Sequence, residues 1–427
     1  MSEQAILDGF ARLKAESPAD GRKWRIYVGG CSGAPLGLYR ALRKSPDLAA
    51  DTVFLGVWIP GVNEEDWSGL HPSAEAETIF LSPALRSSFE AGRVRFLPLS
   101  YLQAWNWLKT TPLDGAVLVT APHREAGHSL GVSQDFALAV LELRKLPVLL
   151  LSNENMPEPR HGSHVPTIRS HDMAIVAEDD TPLVTLAAPV MSAGFEALGQ
   201  HVAGLVEDRS TLQFGLGNVQ AAVLGALKAH RGLRINSGMV SDPLLDLLEA
   251  GVIAEDLSAV LTGVALGSQD FYDAIAREDR VTFRPVSDTH NAELIQRVHG
   301  RFTAINSVIE VDLFGQANAE FIGSRQVSGG GGIVEFTRAK GSLQGRGAIH
   351  ALLSTAGKGR ISRIVPRLQP NAVTLTRHDI ATVVTEHGVA EIGGTDIDTR
   401  AERLMAIADP AHRDHLANAW DEMRRQM

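Results

Sequence analysis

The 427-residue chain sets 40 Lys and Arg against 50 Asp and Glu, for a net charge of −10, with 44% hydrophobic and 21% charged residues. That length exceeds one core of ordinary size, so two domains of roughly 200 residues each are expected. The acidic balance and the lack of a basic run with interleaved aromatics argue against a nucleic-acid partner, and no apolar run is long enough to span a bilayer. A single cysteine, Cys31, excludes a disulfide framework or a thiolate-metal cluster and fits a reducing, cytoplasmic setting.

The chain opens on "MSEQAILDGFARLKAE", an amphipathic helix whose charges interrupt any signal-peptide core. Short apolar runs that end in glycine, proline or a cap then read as buried parallel strands: "WRIYVGG", "TVFLGVWIP", "GAVLVTAP", "LPVLLLSN" and "MAIVAE". Helical patterns such as "APLGLYRALRKS" and "SQDFALAVLELRK" lie between them, which is a βαβ alternation. A Pro-containing stretch near residue 190 marks a boundary, giving domains over 1–190 and 191–427. A second series follows in "TLQFGLG", "GLRINSG", "AVLTGVALG", "TAINSVIEVDLFG", "RISRIVPRL" and "ATVVTEHG". The fold class expected is α/β, as two tandem, similar open domains.

Several stretches carry candidate chemistry. In "LQFGLGNVQAAVLGALKAH", Gly215 and Gly217 follow a strand and open a helix, where backbone N–H groups can hold a phosphate; most such turns are tight connections and no more. In "SGGGGIVEFTRAKGS", Gly329, Gly330, Gly331 and Gly332 let a chain approach a ligand closely and aim N–H groups at one oxygen, or form a loop and nothing more. "AGKGRISRIV" adds Lys358, Arg360 and Arg363. Glu310 and Asp312 share a strand face at i, i+2 and need partners if buried. His123, Arg124 and His128, with Glu154 in "LSNENMPEP", stand just past strand ends, the edge at which open parallel sheets bind ligands. No metal-ligand spacing links them, so no metal is expected.

Together, "LQFGLGNVQAAVL", "INSVIEVDLFGQAN", "SGGGGIVEFTRAKGS", "LLSTAGKGRISRIVP", "ATVVTEHGVAEIGGTDIDTRAERL" and the first-half loops "SNENMPEP" and "APHREAGHSLGVS" resemble the acetyl-CoA hydrolase/transferase group of CoA-transferases, in the same order. The resemblance implies a homodimer or homotetramer acting on acyl-CoA and a small carboxylic acid. It also implies a glutamate that forms an acyl anhydride and then a glutamyl-CoA thioester. That glutamate belongs to a motif matched here by Asn236, Ser237, Gly238, Met239, Val240, Ser241 and Asp242, so Gly238 stands in the nucleophile's place. The resemblance puts Gly215, Leu216, Gly217, Asn218 and Val219 along CoA, Gly332 near the thioester oxygen, Asn291 near the acyl group and Glu386 beside the site.

A covalent glutamyl-CoA needs a carboxylate, which glycine lacks. The expectation is therefore hydrolysis of a CoA ester, or cleavage of a bond within an acyl-CoA, with Glu154 or His123 as general base. Arg124 would bind a substrate carboxylate, and Gly329 to Gly332 would donate to the oxyanion. The alternatives are CoA transfer through another carboxylate, Glu310 or Glu386, and a binding protein without catalysis.

Overall fold

In the computed structural model the described residues are 2–16, 21–122, 127–141, 146–160, 174–339, 347–369 and 371–427. They divide into two compact units. The first comprises 1–187, 261–289 and 327–331, and the second comprises 188–260, 290–326 and 332–427. Two later segments thus return to the first unit, so neither unit is one continuous length of chain.

The first unit is built on a seven-stranded sheet in the order β4-β3-β2-β1-β5-β6-β7. Its strands are β1 (Trp24–Val28), β2 (Thr52–Gly56), β3 (Glu75–Thr78), β4 (Val94–Phe96), β5 (Gly115–Thr120), β6 (Val148–Asn153) and β7 (Ala174–Asp179). Every neighbouring pair is parallel. The helix Ser2–Glu16 buries Ile6, Phe10 and Leu13, and the helix Tyr101–Thr110 is set by a Ser100/Gln103 capping box. Strands β3 and β4 have no apolar run to announce them. In β3, Glu77 is buried and pairs with Arg25 (2.7 Å) and Arg95 (2.6 Å), so a charged position fills a central strand. The segment 261–289 brings nearly all of β10 (Val260–Ala265) and the whole of β11 (Val281–Phe283) to this unit.

In the second unit β8 (Thr211–Phe214), β9 (Arg234–Val240), β12 (Phe302–Ser307), β17 (Ala348–Ala351), β21 (Thr382–Thr385) and β22 (Gly388–Glu391) follow one another as β9-β8-β12-β17-β21-β22. All pairs are parallel except the last, a hairpin. The stretch expected as one strand, "TAINSVIEVDLFG", divides after Ser307. Glu310–Asp312 becomes β13 of a separate three-stranded sheet with β14 (Ala317–Asn318) and β20 (Ile364–Val365). The expected strand "RISRIVPRL" is likewise not continuous. Ile361–Ser362 (β19) pairs with β18 (Thr355–Ala356), whereas β20 joins β13, and the Ser362 hydroxyl bends the chain between them by donating to the Ile364 carbonyl (2.6 Å). A small hairpin, β15 (Phe321–Ile322) with β16 (Arg325–Gln326), completes the strands. No described helix is long and apolar enough to cross a membrane.

Candidate active site

Several of the residues singled out from sequence stand in or just after parallel strands of the second unit. Gly215 follows β8, β9 carries Gly238, and Glu386 follows β21. This is the edge where an open parallel sheet offers backbone and loops to a ligand.

At β8 the chain turns through Gly217, with φ 101° and ψ −173°, a backbone region essentially reserved for glycine. The nine-residue helix Asn218–Ala226 begins there. Leu216 is half-buried, Val219 is buried, and the Asn218 side-chain oxygen accepts from the Val190 amide (3.0 Å). Gln220 donates from Nε2 to the Ser307 hydroxyl (2.8 Å), which ties the helix start to the end of β12.

Gly238 lies within β9, which runs on to Val240 before the helix Pro243–Glu249. The space above it is taken by an imidazole. A Cβ built on Gly238 would stand 2.7 Å from His290 Cε1 and 3.1 Å from Nε2, and one built on Gly332 would stand 2.5 Å from the same Nε2. His290 therefore lies between two glycines, with Phe336 against its face (centroids 4.5 Å apart), and is 2% exposed. Burial pushes its pKa down to about 3, so the ring is neutral at physiological pH. His290 is not marked by any motif in the sequence. Its only signal was its place before Asn291 in "SDTHNAE", and no spacing rule points to a residue that acts by filling a volume.

Asn291 caps the helix Ala292–Gln296, its Oδ1 accepting from the Glu293 (2.9 Å) and Leu294 (3.4 Å) amides. Glu386 accepts from the Ser354 amide (2.7 Å) and hydroxyl (2.8 Å) and is partly exposed. Lys358 is exposed in a tight turn with φ 61°. Asp312 is fully buried and saturated, accepting from the Phe314, Gln316 and Leu368 amides and from Gln316 Nε2. Glu310 accepts from Asn318 Nδ2 (3.1 Å). Both carboxylates thus have the partners that burial demands.

Within the first unit, Glu154 is exposed just past β6. His128 is buried, and His123 and Arg124 lie outside the described residues. Gly329 and Gly331 are buried and Gly330 is half-buried; the Gly331 carbonyl accepts from the Tyr101 amide (3.1 Å). Gly332 belongs to the second unit and precedes the helix Ile333–Arg338. Among the described residues no cluster of His, Cys, Asp and Glu is arranged to hold a metal.

Residues 267–420 match the model of the acetyl-CoA hydrolase/transferase C-terminal domain. The chain is 33% identical over 405 residues, 93% of each chain, to a 4-hydroxybutyrate coenzyme A transferase from Clostridium kluyveri. The chain belongs to the acetyl-CoA hydrolase/transferase family. Across about half its length this family member is 32% identical to an acetyl-CoA hydrolase from Saccharomyces cerevisiae, spanning 41% of that protein. The structure of a 4-hydroxybutyrate CoA-transferase from Porphyromonas gingivalis superposes with a TM-score of 0.74 at 25% identity, covering 100% of this chain and 97% of that one. RipA from Yersinia pestis shares the fold with a TM-score of 0.85 at 24% identity, over 99% of both chains.

Proposed function

We propose that this protein opens an acyl-CoA thioester and delivers the acyl group to water. The observation that carries this reading is the occupant of the place beside residue 238: a neutral imidazole pressed against two glycines, where a glutamyl-CoA would need residue 238 to be a carboxylate. CoA lies along Gly215 to Val219, with Lys358 for its phosphates, and Asn291 and Glu386 stand by the acyl end. A water oxygen attacks the thioester carbon while Glu154 or His123 takes its proton. The C–S bond breaks, and the departing sulfur recovers that proton to leave as CoA thiol. Backbone N–H groups of Gly329 to Gly332 stabilise the oxyanion between those steps. Family membership supports acyl-CoA as the substrate class.

A second reading, CoA transfer to a carboxylic acid, is favoured by the Clostridium kluyveri relative and by Glu386, a carboxylate at the end of β21. Incubating the protein with an acyl-CoA panel, with and without acetate, separates the two by mass spectrometry. Hydrolysis predicts CoA thiol at the same rate in both. It also predicts a fall of about 10²-fold or more in Glu154→Ala if that residue is the base. Thiol or new thioester formed only with acetate establishes transfer, and thioesters bound but unchanged establish a binding protein.

A further inference from the structure

The second unit holds a cluster of arginines that none of these roles uses. Between Glu335 and Asp379 the chain carries eight Lys and Arg and no Asp or Glu, in a protein of net charge −10. Two of the eight, Arg367 and Arg377, meet at one ring: their Cζ atoms stand 5.5 and 5.4 Å from the centroid of Phe314. That ring follows β13, is 9% exposed, and has Trp420 edge-on against it (centroids 5.4 Å apart). Both arginines are exposed.

A third guanidinium is built into the same place. Arg400 donates from Nη1 to the carbonyls of Phe314 (3.1 Å) and Arg377 (2.8 Å), and from Nη2 to that of Ile392 (3.2 Å). Gly315, at φ 81°, makes room for it, since a Cβ there would stand 2.9 Å from Arg400 Nη1. Among the described residues none of the three arginines has an ion pair. Asp379 is engaged by Arg338 (2.8 Å) and Asp398 by Arg424 (3.0 Å), while Asp312, the carboxylate that bears on Arg400, is saturated by its own donors. Burial, and after it the charge of Arg377, push the Arg400 pKa down, as like charges held together do. An anion placed among them relieves that repulsion.

Position and chemistry narrow the guest. Ile392, whose carbonyl Arg400 holds, donates its amide to Ala381 (2.7 Å) at the amino end of β21, whereas Glu386 follows the carboxyl end, roughly 15 Å along the strand. The cluster thus stands at the other end of β21 from the residue proposed beside the thioester. Planar guanidinium forks bind oxyanions two oxygens at a time, and a phosphoryl group with up to two negative charges answers both exposed arginines, where a monocarboxylate answers one. Phe314 is covered, so its face recruits no planar base and the phosphate itself is the part recognised.

We propose that Arg367, Arg377 and Arg400 form an anion site, separate from the one proposed for CoA, that takes a phosphoryl dianion. It does not rest on the hydrolase reading, which turnover judges on its own. The test is calorimetric titration of the full chain with inorganic phosphate, glycerol 3-phosphate and succinate, at constant pH and ionic strength, alone and with saturating CoA. Wild-type protein and Arg367→Gln/Arg377→Gln are compared; glutamine keeps much of the stem and removes the charge. The expected result is one saturable site for a phosphate ligand in the wild type, retained when CoA is present and weakened about tenfold or more in the double variant. The tighter of the two phosphate ligands then names the source, free ion or ester. Absence of saturable binding in the wild type overturns the site. So does binding that CoA abolishes, that survives in the double variant, or that favours succinate. The wild-type titrations can overturn it even if the variant misfolds.

Discussion

A single position frames the chemistry. Gly238 and Gly332 are small because His290 needs the room, and any side chain at 238 begins within 3.1 Å of its ring. Gly238→Ala is expected to cost about 1–3 kcal/mol through overpacking. In the Gly238→Ala/His290→Ala double variant the two effects should fall short of additivity, read by urea titration. Independent, additive losses would show that the ring and residue 238 do not share that space. Titration at two buried groups runs in opposite senses. An unfolded His290 takes up a proton below about 6.5 whereas the folded ring stays neutral to about 3, so this residue removes stability as pH falls through that window. An unfolded Asp135 releases its proton near 3.8 whereas the folded carboxyl keeps it to about 7, so it removes stability as pH rises through that one. Asp135→Asn should therefore gain on the wild type from pH 4 to 7, by at most about 1.4 kcal/mol per pH unit, and level off above 7. A flat difference across that range would mean that Asp135 is ionised throughout. Gly238 stood out in the sequence as a residue with no side chain between a strand and a helix cap. His290 did not, because it matters through what packs against it.

Elements announced themselves in proportion to how apolar they are. "WRIYV", "TVFLG", "GAVLVT" and "VLLLSN" form strands where the hydrophobic runs put them. β3 and β17 did not, since one carries a paired glutamate and the other a buried histidine, His350, within hydrogen-bonding distance of the Thr337 hydroxyl (3.2 Å). The glycine turn before Asn218–Ala226 was legible as a turn, and its geometry gives it a measurable cost. At Gly217 a Cβ would meet only Gln220 Oε1 at 3.8 Å, so space is not limiting and backbone strain is. Gly217→Ala should lose about 1–3 kcal/mol and weaken CoA binding, measured by thermal melting and calorimetry. Unchanged melting would show that the turn relaxes without penalty.

On the scale of the whole molecule, the α/β class and the parallel sheets follow from strand runs separated by helices, and the family follows from an ordered series of loops. The return of 261–289 and 327–331 to the first unit was hidden, because contacts between distant segments leave no periodic trace in a sequence. The same chain-wide view bears on the reaction, since the relatives include both CoA-transferases and acetyl-CoA hydrolases and the proposal chooses water as the acceptor. The decisive measurement is a single turnover, with protein in excess over acyl-CoA, in water labelled with heavy oxygen and without any carboxylic acid. The account predicts one labelled oxygen in each released acid and no CoA attached to the protein. Acid formed without label, or a CoA-protein adduct that waits for a carboxylate acceptor, would contradict it.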